Sequence, residues 1–518
     1  MVRDINTFTN QLYYGDNLDI MQKYIKDESI DLCYIDPPFN SNQDYNQIYN
    51  MEGKVDTAQA KAFTDTWSWT AVSINGYKEI TENANKSYSL QTVLYIRSMF
   101  EILGRTGLMA YLISMTQRVQ EIYRVLKPTG SFYLHCDPTA SHYLKLLLDS
   151  VFISSGGKML NEIIWNYKRW TAVSNRFQRM HDAIFYYSKS KEHIFNKLFA
   201  SPSTYSTSNY GKGYQTNKIN GIRQLIVYDK EKAKDKIESG KYDKIVYREG
   251  TSEVVMADVW DISIINSQAK ERLGYPTQKP EALLERIIEA SSNEGDLILD
   301  AFCGCGTTVA VAQRLNRNWI GIDITYQSIS LILKRLEDTF GEEMINNTML
   351  HGVPLDSASA VALAEKKDDR VRKEFEKWAV LTYSNNRAYI NEKKGGDGGT
   401  DGIAFMRVSS DETKNIIFQV KTSKKLSPDV IRDLNGTIDQ EKAAVGVLIT
   451  LYPMDNLKKI ANEYGEFENK LFGVSIPKIQ IVTAVEIIAG ARLKLPAVSE
   501  VLKSAQRKSN AKQTTLID

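Results

Sequence analysis

The segment from residue 297 to 323 constrains the fold most. An apolar run, Leu297-Ile-Leu-Asp300, enters Ala-Phe-Cys-Gly304-Cys-Gly306-Thr307, continues as TTVAVAQRLN with helical spacing, and returns as WIGID ending on Asp323. Strand, glycine turn, helix and strand in that order need a crossover, which sets the two strands parallel with helices against the sheet. Upstream, the β-like runs DLCYID, SFYLHC and EIIWNY alternate with helical stretches such as TQRVQEIYRVLKPTG. Pro280 suits the first turn of a helix EALLERIIEAS. The expectation is an α/β fold in which one parallel, Rossmann-like sheet holds both segments.

Glycines in a strand-to-helix turn let the backbone fold tightly and approach a ligand closely, and a carboxylate about 20 residues further on can accept ribose hydroxyls. Asp323 has that place. Thr307 stands where the third glycine of a dinucleotide loop would be, which favours an adenosyl ligand over a pyrophosphate. Taken alone, the loop is equally a plain turn. Cys303 and Cys305 read as small side chains in a tight loop.

A second loop carries different chemistry. After strand DLCYI come Asp36-Pro37-Pro38-Phe39. Two prolines stiffen an extended turn, so the Asp36 carboxylate and the Pro37 carbonyl can face one donor group while Phe39 offers a flat ring. Two acceptors and a stacking face suit the exocyclic NH₂ of a flipped base, although Asp-Pro-Pro by itself is often only a turn.

At 518 residues the chain exceeds one ordinary core, and ~150 residues per domain suggests about three folding units. A hydrophobic fraction of 42% with 25% charged residues is an ordinary globular balance. The formal net charge of +2 supplies no global field for nucleic acid, so any DNA surface must be built by local clustering of Lys and Arg. The four cysteines, Cys33, Cys136, Cys303 and Cys305, are too few and scattered for a disulfide framework or a four-ligand zinc site. Neither MVRDINTFTN nor an apolar run as short as AVGVLITL reads as a signal or membrane segment. A soluble cytoplasmic protein is expected, with no membrane partner.

The whole set YYGDNLDIM, IDPPFN, DTWSW, SFYLHCDPTASHYLKLLLD, NEIIW, VWDIS, YPTQKPEALLERII and FCGCGTT resembles the β-class of S-adenosylmethionine-dependent amino-methyltransferases of DNA over about 1–350. In that class the catalytic motif precedes the cofactor motif, as here. The resemblance implies a methyltransferase domain over 1–355 that binds S-adenosylmethionine and double-stranded DNA in a prokaryote. It implies catalytic roles for Asp36, Pro37, Pro38 and Phe39. Cofactor roles fall to Asp300, Phe302, Gly304, Gly306 and Thr307 in the loop, Asp323 on the ribose, Asp16 near the adenine, and Thr277, Gln278 and Lys279 over the methionine part. The initial Asp, rather than Ser, points to adenine N6 as the acceptor. A homodimer is expected from the class alone.

Residues 190–256 break the α/β pattern with SPSTYSTSNYGKGYQTNKING and the charge run DKEKAKDKIESGKYDK. Tyr205, Tyr210, Lys212, Tyr214, Lys218 and Arg223 mix cations with aromatics able to meet phosphates and base edges. The position matches the target-recognition insertion of the class; a solvated insertion is the alternative.

A polar stretch near 356–370 marks a boundary, beyond which RVRKEFEKWAV opens a second α/β unit, and 496–518 read as a flexible tail. Lys394-Gly-Gly-Asp397-Gly-Gly-Thr-Asp401 is followed, after a hairpin-like passage, by Ile416-Ile-Phe-Gln419-Val-Lys421. On adjacent strands, Asp401 and Gln419 could bring oxygens to one Mg²⁺ while Lys421 faces the water or the developing phosphate charge. The pattern resembles the PD-(D/E)xK nucleases, especially the Mrr-like restriction branch, over 365–495, with Glu376 as the helical acid. No proline precedes Asp401, and Gln419 stands where many members carry Glu, though the Mrr-like branch often has Gln. The expected activity is therefore site-specific adenine methylation in restriction-modification or phage defence. A bifunctional enzyme that also cleaves with Mg²⁺ is the alternative, and a DNA-binding protein without catalysis ranks third.

Overall fold

A computed structural model describes residues 9–498 except 39–43, 52–53, 65–66, 84–85, 169–174, 176, 201–212, 220, 248–253, 267–268, 276, 355, 366–368, 392–398, 410–411 and 497. Two sheets dominate. The first has nine strands: β1 (Gln11–Tyr14), β2 (Ile30–Ile35), β3 (Leu126–Cys136), β4 (Lys158–Asn166), β5 (His181–Ser188), β6 (Val259–Asp261), β7 (Leu297–Asp300), β8 (Asn318–Asp323) and β9 (Met349–His351). Their spatial order is β6-β4-β5-β3-β2-β7-β8-β1-β9.

The central strands show why the sequence reads as continuous apolar runs. Every residue of β2 is buried, because a central parallel strand is covered on both faces. Alternation then divides the side chains: Leu32 and Tyr34 join one core, Cys33 and Ile35 the other. Parallel pairing brings the ends of β2, β7, β8 and β1 side by side, with Tyr34 opposite Asp300 and Tyr14 opposite Asp323.

Two local expectations need correction. The sheet is mixed, since β5 runs antiparallel to both β3 and β4. The helix containing TQRVQEIYRV, α1 (Gly107–Val125), stops before Leu126, and LKPTG belongs to β3. Alternation with period two is the same in either strand direction, and Pro128, three residues past Val125, cannot continue the helix.

Residues 190–256 form small separate sheets, Tyr214–Ile219 with Ile222–Val227 and Lys244–Tyr247, and Phe199–Ala200 with Val254–Val255. The charge run is partly helical, over Lys234–Glu238, and the polar stretch near 356 holds the helix Ser357–Ala364.

Four further helices matter for the site: α2 (Glu281–Ser291), α3 (Thr307–Arg314), α4 (Tyr326–Phe340) and α5 (Asp369–Tyr383). The second sheet follows α5, with β10 (Ala388–Ile390), β11 (Gly402–Arg407), β12 (Thr413–Lys421), β13 (Val445–Thr450) and β14 (Ile479–Thr483) in that spatial order. One core runs through both units, from Ile329 and Ile332 on α4 to Trp378 and Ala379 on α5 and Phe418 on β12. Among the described residues no helix is long and apolar enough to cross a membrane.

Candidate active site

The ends of β2, β7, β8 and β1 collect most of the residues singled out in the sequence. Asp36 follows β2 directly; Pro37 is buried and Pro38 half-buried. Phe39 lies outside the described residues. Lys279 Nζ donates to Asp36 Oδ2, and both side chains are largely sheltered. Asp36 Oδ1 is buried with no hydrogen-bond partner among the described residues. A buried oxygen without a donor is costly, so this half of the carboxylate is held ready for one.

Behind Asp36 lies a polar chain that the sequence did not announce. Tyr34 Oη meets His135 Nδ1 at 3.0 Å, His135 Nε2 meets Asp182 Oδ2 at 3.3 Å, and Tyr167 donates to Asp182 Oδ1 at 3.2 Å. Burial pushes the Asp182 carboxyl up, but His135, Lys279 and Tyr167 outweigh it and hold it below the usual range. The chain braces the strand that carries Asp36.

The glycine loop is shaped for a close approach. Gly304 and Gly306 have φ of +49° and +72°, a region side-chain-bearing residues avoid. A Cβ on Gly306 would stand 2.7 Å from Ile332 Cγ1, and one on Gly304 would reach the Tyr275 ring at 3.4 Å. Thr307 begins α3 and is buried; its hydroxyl and the Cys305 carbonyl both accept from Arg335, each at 3.2 Å. Phe302 is half-buried against the core. Cys303 and Cys305 are buried free thiols pushed up by burial.

The two acids flanking this loop are oriented by backbone amides. Asp323 Oδ2 accepts from Gly304 N at 2.9 Å, and Oδ1 accepts from Thr325 N at 2.9 Å and its hydroxyl at 3.1 Å. Burial raises its carboxyl to about 6 against those hydrogen bonds. Asp300 Oδ1 accepts from Phe302 N at 3.0 Å; burial, with Asp36 and Asp323 nearby, raises it to about 7. Two carboxylates gathered in low dielectric favour a ligand that brings positive charge and hydroxyl donors.

Asp16 follows β1. It accepts from Leu18 N at 2.8 Å and pairs with Arg118 Nη2 at 2.9 Å, while Arg118 Nε holds Asn17 and Asn17 reaches the Ala301 carbonyl at 2.6 Å. Arg118 thus ties the β1 turn to the glycine loop. Gln278 uses its side chain within its own loop, donating to Glu271 O at 2.5 Å and accepting from Leu273 N at 2.8 Å. Thr277 is half-buried beside it.

In the insertion, Tyr205, Tyr210 and Lys212 lie outside the described residues. Lys218 and Arg223 are register partners; Arg223 is paired with Asp243 at 3.0 Å, and Tyr214 lies 5.9 Å below Lys236 Nζ.

A second constellation sits in the C-terminal sheet. Asp401 immediately precedes β11, donating its N–H to Phe418 O at 2.8 Å and accepting from Val420 N at 2.7 Å through Oδ2. Gln419 is 2% exposed, and its Nε2 and Lys421 Nζ both come within 3.8 Å of where a Cβ on Gly399 would stand. Glu376, on α5, is pushed up by burial and pulled down by nearby cations that include Lys421. Lys394 and Asp397 lie outside the described residues. Among those described, no group of three His, Cys, Asp or Glu gathers to hold a metal. Asp401, Gln419 and Glu376 are nevertheless oxygen donors of the kind Mg²⁺ takes.

The DNA methylase family matches residues 30–334, and a restriction endonuclease family matches 371–486. The type II methyltransferase M.HpaI of Haemophilus parainfluenzae is 29% identical over 289 residues, 55% of this chain and 76% of that protein. The DNA adenine methyltransferase YhdJ of Escherichia coli (strain K12) is 26% identical over 328 residues, 63% and 82% of the two chains. A crystal structure of the M1.HpyAVI–SAM complex aligns with 63% of this chain and 99% of its own at 17% identity and TM-score 0.31.

Proposed function

The chain belongs to the DNA methylase family, and from that premise we propose that it moves a methyl group from S-adenosylmethionine to N6 of adenine in double-stranded DNA, in restriction-modification or phage defence. The observation that carries the reading is the adjacency of Asp36, whose Oδ1 is buried without a partner among the described residues, to the Gly304–Asp323 cradle on the neighbouring strands.

When bound, S-adenosylmethionine supplies an electrophilic methyl group on a sulfonium. Asp323 would accept the ribose hydroxyls, Asp16 would lie toward the adenine end, and the carboxylates of Asp300 and Asp323 would offset positive charge. Asp36 Oδ1 and the Pro37 carbonyl accept the two hydrogens of the adenine amine, which localises its delocalised lone pair, and Phe39 stacks on the base. Holding amine and methyl in line accounts for much of the rate. Lys279 now occupies one face of Asp36, so a flipped base must displace it or share the carboxylate with it.

Incubating the protein with S-adenosylmethionine labelled on its methyl group and unmethylated plasmid tests this directly. N6-methyladenine in the digested DNA is the expected product; label on cytosine N4, or none, overturns the proposal. A cytoplasmic location and a homodimer accompany it on the class resemblance.

The convergence of Gln419 and Lys421 near Gly399, beside Asp401, favours a second activity, Mg²⁺-dependent strand cleavage by the C-terminal unit. Asp401 and the Gln419 oxygen would hold the ion, and Lys421 would offset charge on the scissile phosphate.

A further inference from the structure

One side chain of the C-terminal unit reaches the cofactor end of the first sheet. Glu374, on α5, accepts the N–H of Tyr326 through Oε2 at 2.9 Å, and its carboxylate adds to burial in pushing the neighbouring Tyr14 hydroxyl up. Its Oε1 takes Lys377 Nζ at 2.9 Å. Tyr326 opens α4, where first-turn amides lack helical partners and a carboxylate also meets the positive end of the helix dipole.

Both tyrosines are joined to Asp323. Tyr14 is its register partner, and the next residue, Gly15, donates to the Asp323 carbonyl at 2.9 Å. Thr325, immediately before Tyr326, donates twice to Asp323 Oδ1. The tyrosine rings meet edge to face at 6.0 Å. Tyr326 Oη and Thr382 Oγ1, 2.9 Å apart, pin α5 against α4, so the position of Glu374 is set by the contact between the two units.

We propose that Glu374 is a positioning residue for S-adenosylmethionine: the nuclease-like unit completes the outer wall of the cofactor site by locking the Tyr14 and Tyr326 corners that aim Asp323. This rests on the reading of Asp323 as the ribose-binding acid. A helix turns about 100° per residue, so Glu376 points away from Glu374 by about 200°. The same helix therefore serves the cofactor wall on one side and the Lys421 cluster on the other.

The test uses the full chain as wild type, Glu374→Gln, Glu374→Asp, Tyr14→Phe and the Glu374→Gln/Tyr14→Phe double variant. Cofactor binding is measured by calorimetry, and methyl transfer by steady-state kinetics. Glu374→Gln is expected to raise Kd and KM for S-adenosylmethionine roughly five- to tenfold, the scale of one net hydrogen bond. KM for DNA and kcat at saturating cofactor should stay within about twofold, because the chemistry at Asp36 is untouched. Glu374→Asp should recover part of the loss, and Tyr14→Phe should give a smaller shift that does not add to it. A fall in kcat without a change in KM for the cofactor would mean only lost folded enzyme and would overturn the proposal, as would unchanged KM in Glu374→Gln. If that variant does not fold, Tyr14→Phe decides by the same criterion. Wild type that fails to bind S-adenosylmethionine would sink the cofactor reading itself, whereas normal wild-type binding with an indifferent Glu374→Gln would sink only this inference.

Discussion

Lys279 Nζ is hydrogen-bonded to Oδ2 of Asp36 across 243 residues of sequence, while Oδ1 of the same carboxylate is buried without a partner among the described residues. The pair divides one carboxylate into a tethered face and a waiting face. A tether of this kind fixes the carboxylate's rotation, so that the free oxygen is already aimed when a donor arrives.

Asp36→Ala removes both faces. Methyl incorporation is expected to fall by ~10²–10⁴-fold, the usual scale for a lost positioning or acid–base group, with cofactor affinity within about twofold. Quench-flow assays alongside calorimetric titration would check both halves; near-normal turnover would place the catalytic centre elsewhere.

The acids around the glycine loop give the cofactor site a pH dependence. Asp300 near 7 and Asp323 near 6 are both raised above an ordinary carboxyl. Their contribution to stability without cofactor is fully present below pH ~4 and is lost as pH rises to their folded values, because ionisation costs more in the folded state. A cationic ligand with hydroxyl donors prefers the ionised forms. S-adenosylmethionine should therefore bind more tightly as pH rises from 5 to 7.5, releasing protons, with a slope approaching about tenfold per pH unit for each coupled carboxyl. Calorimetry in buffers of different ionisation enthalpy measures the release, and a flat profile would refute it. Asp323→Asn should remove the lower step and weaken binding.

Gly306→Ala tests the loop's shape. The alanine must hold φ near +72° and place Cβ 2.7 Å from Ile332 Cγ1. Strain and overpacking of this kind cost ~1–3 kcal/mol each. A clear drop in Tm should accompany weaker cofactor binding. Gly304→Ala, whose nearest contact is the Tyr275 ring at 3.4 Å, should lose less stability.

Strands such as Ile30–Ile35 were legible because burial on both faces leaves an unbroken apolar run, and the crossover from Asp300 to Asp323 because glycine, helix and strand can be joined in few ways. The direction of His181–Ser188 was not legible, since alternation does not encode it. Asp36, Asp300, Asp16 and Asp323 could be singled out from local motifs, and the structure gathers them at neighbouring strand ends. Their partners could not: Arg118 lies in a helix with no motif of its own, 102 residues from Asp16, and His135 sits in an apolar strand where a buried structural histidine would look the same. Glu374 was hidden for a similar reason, as one of several acids and lysines on a helix whose neighbours only the tertiary packing reveals.

The C-terminal constellation leads to the last prediction: strand cleavage that needs Mg²⁺ or Mn²⁺ and disappears in Asp401→Ala and Lys421→Ala while methylation survives. The backbone amide of Val420 donates to Asp401 Oδ2 and so fixes the carboxylate's rotation beside the end of the Gln419–Lys421 strand. Lys421 ends the same strand beside the buried Gln419 and would supply charge where phosphodiester attack builds it up. A neutral amide at 419 gives the ion one negative charge fewer than a carboxylate would, so millimolar metal should be required. Gln419→Glu should lower that requirement, provided the new carboxylate binds the ion, since an unpaired buried charge would otherwise destabilise the strand. The measurement is nicking of one unmethylated plasmid, titrated with metal, by wild type, Gln419→Glu and Lys421→Ala. Equal cutting by wild type and Lys421→Ala would remove Lys421 from the chemistry, and metal-independent cutting would remove Asp401 as a ligand. Methylation by Lys421→Ala should stay near wild type, because its side chain lies in the second sheet and the methyl-transfer residues lie at the strand ends of the first.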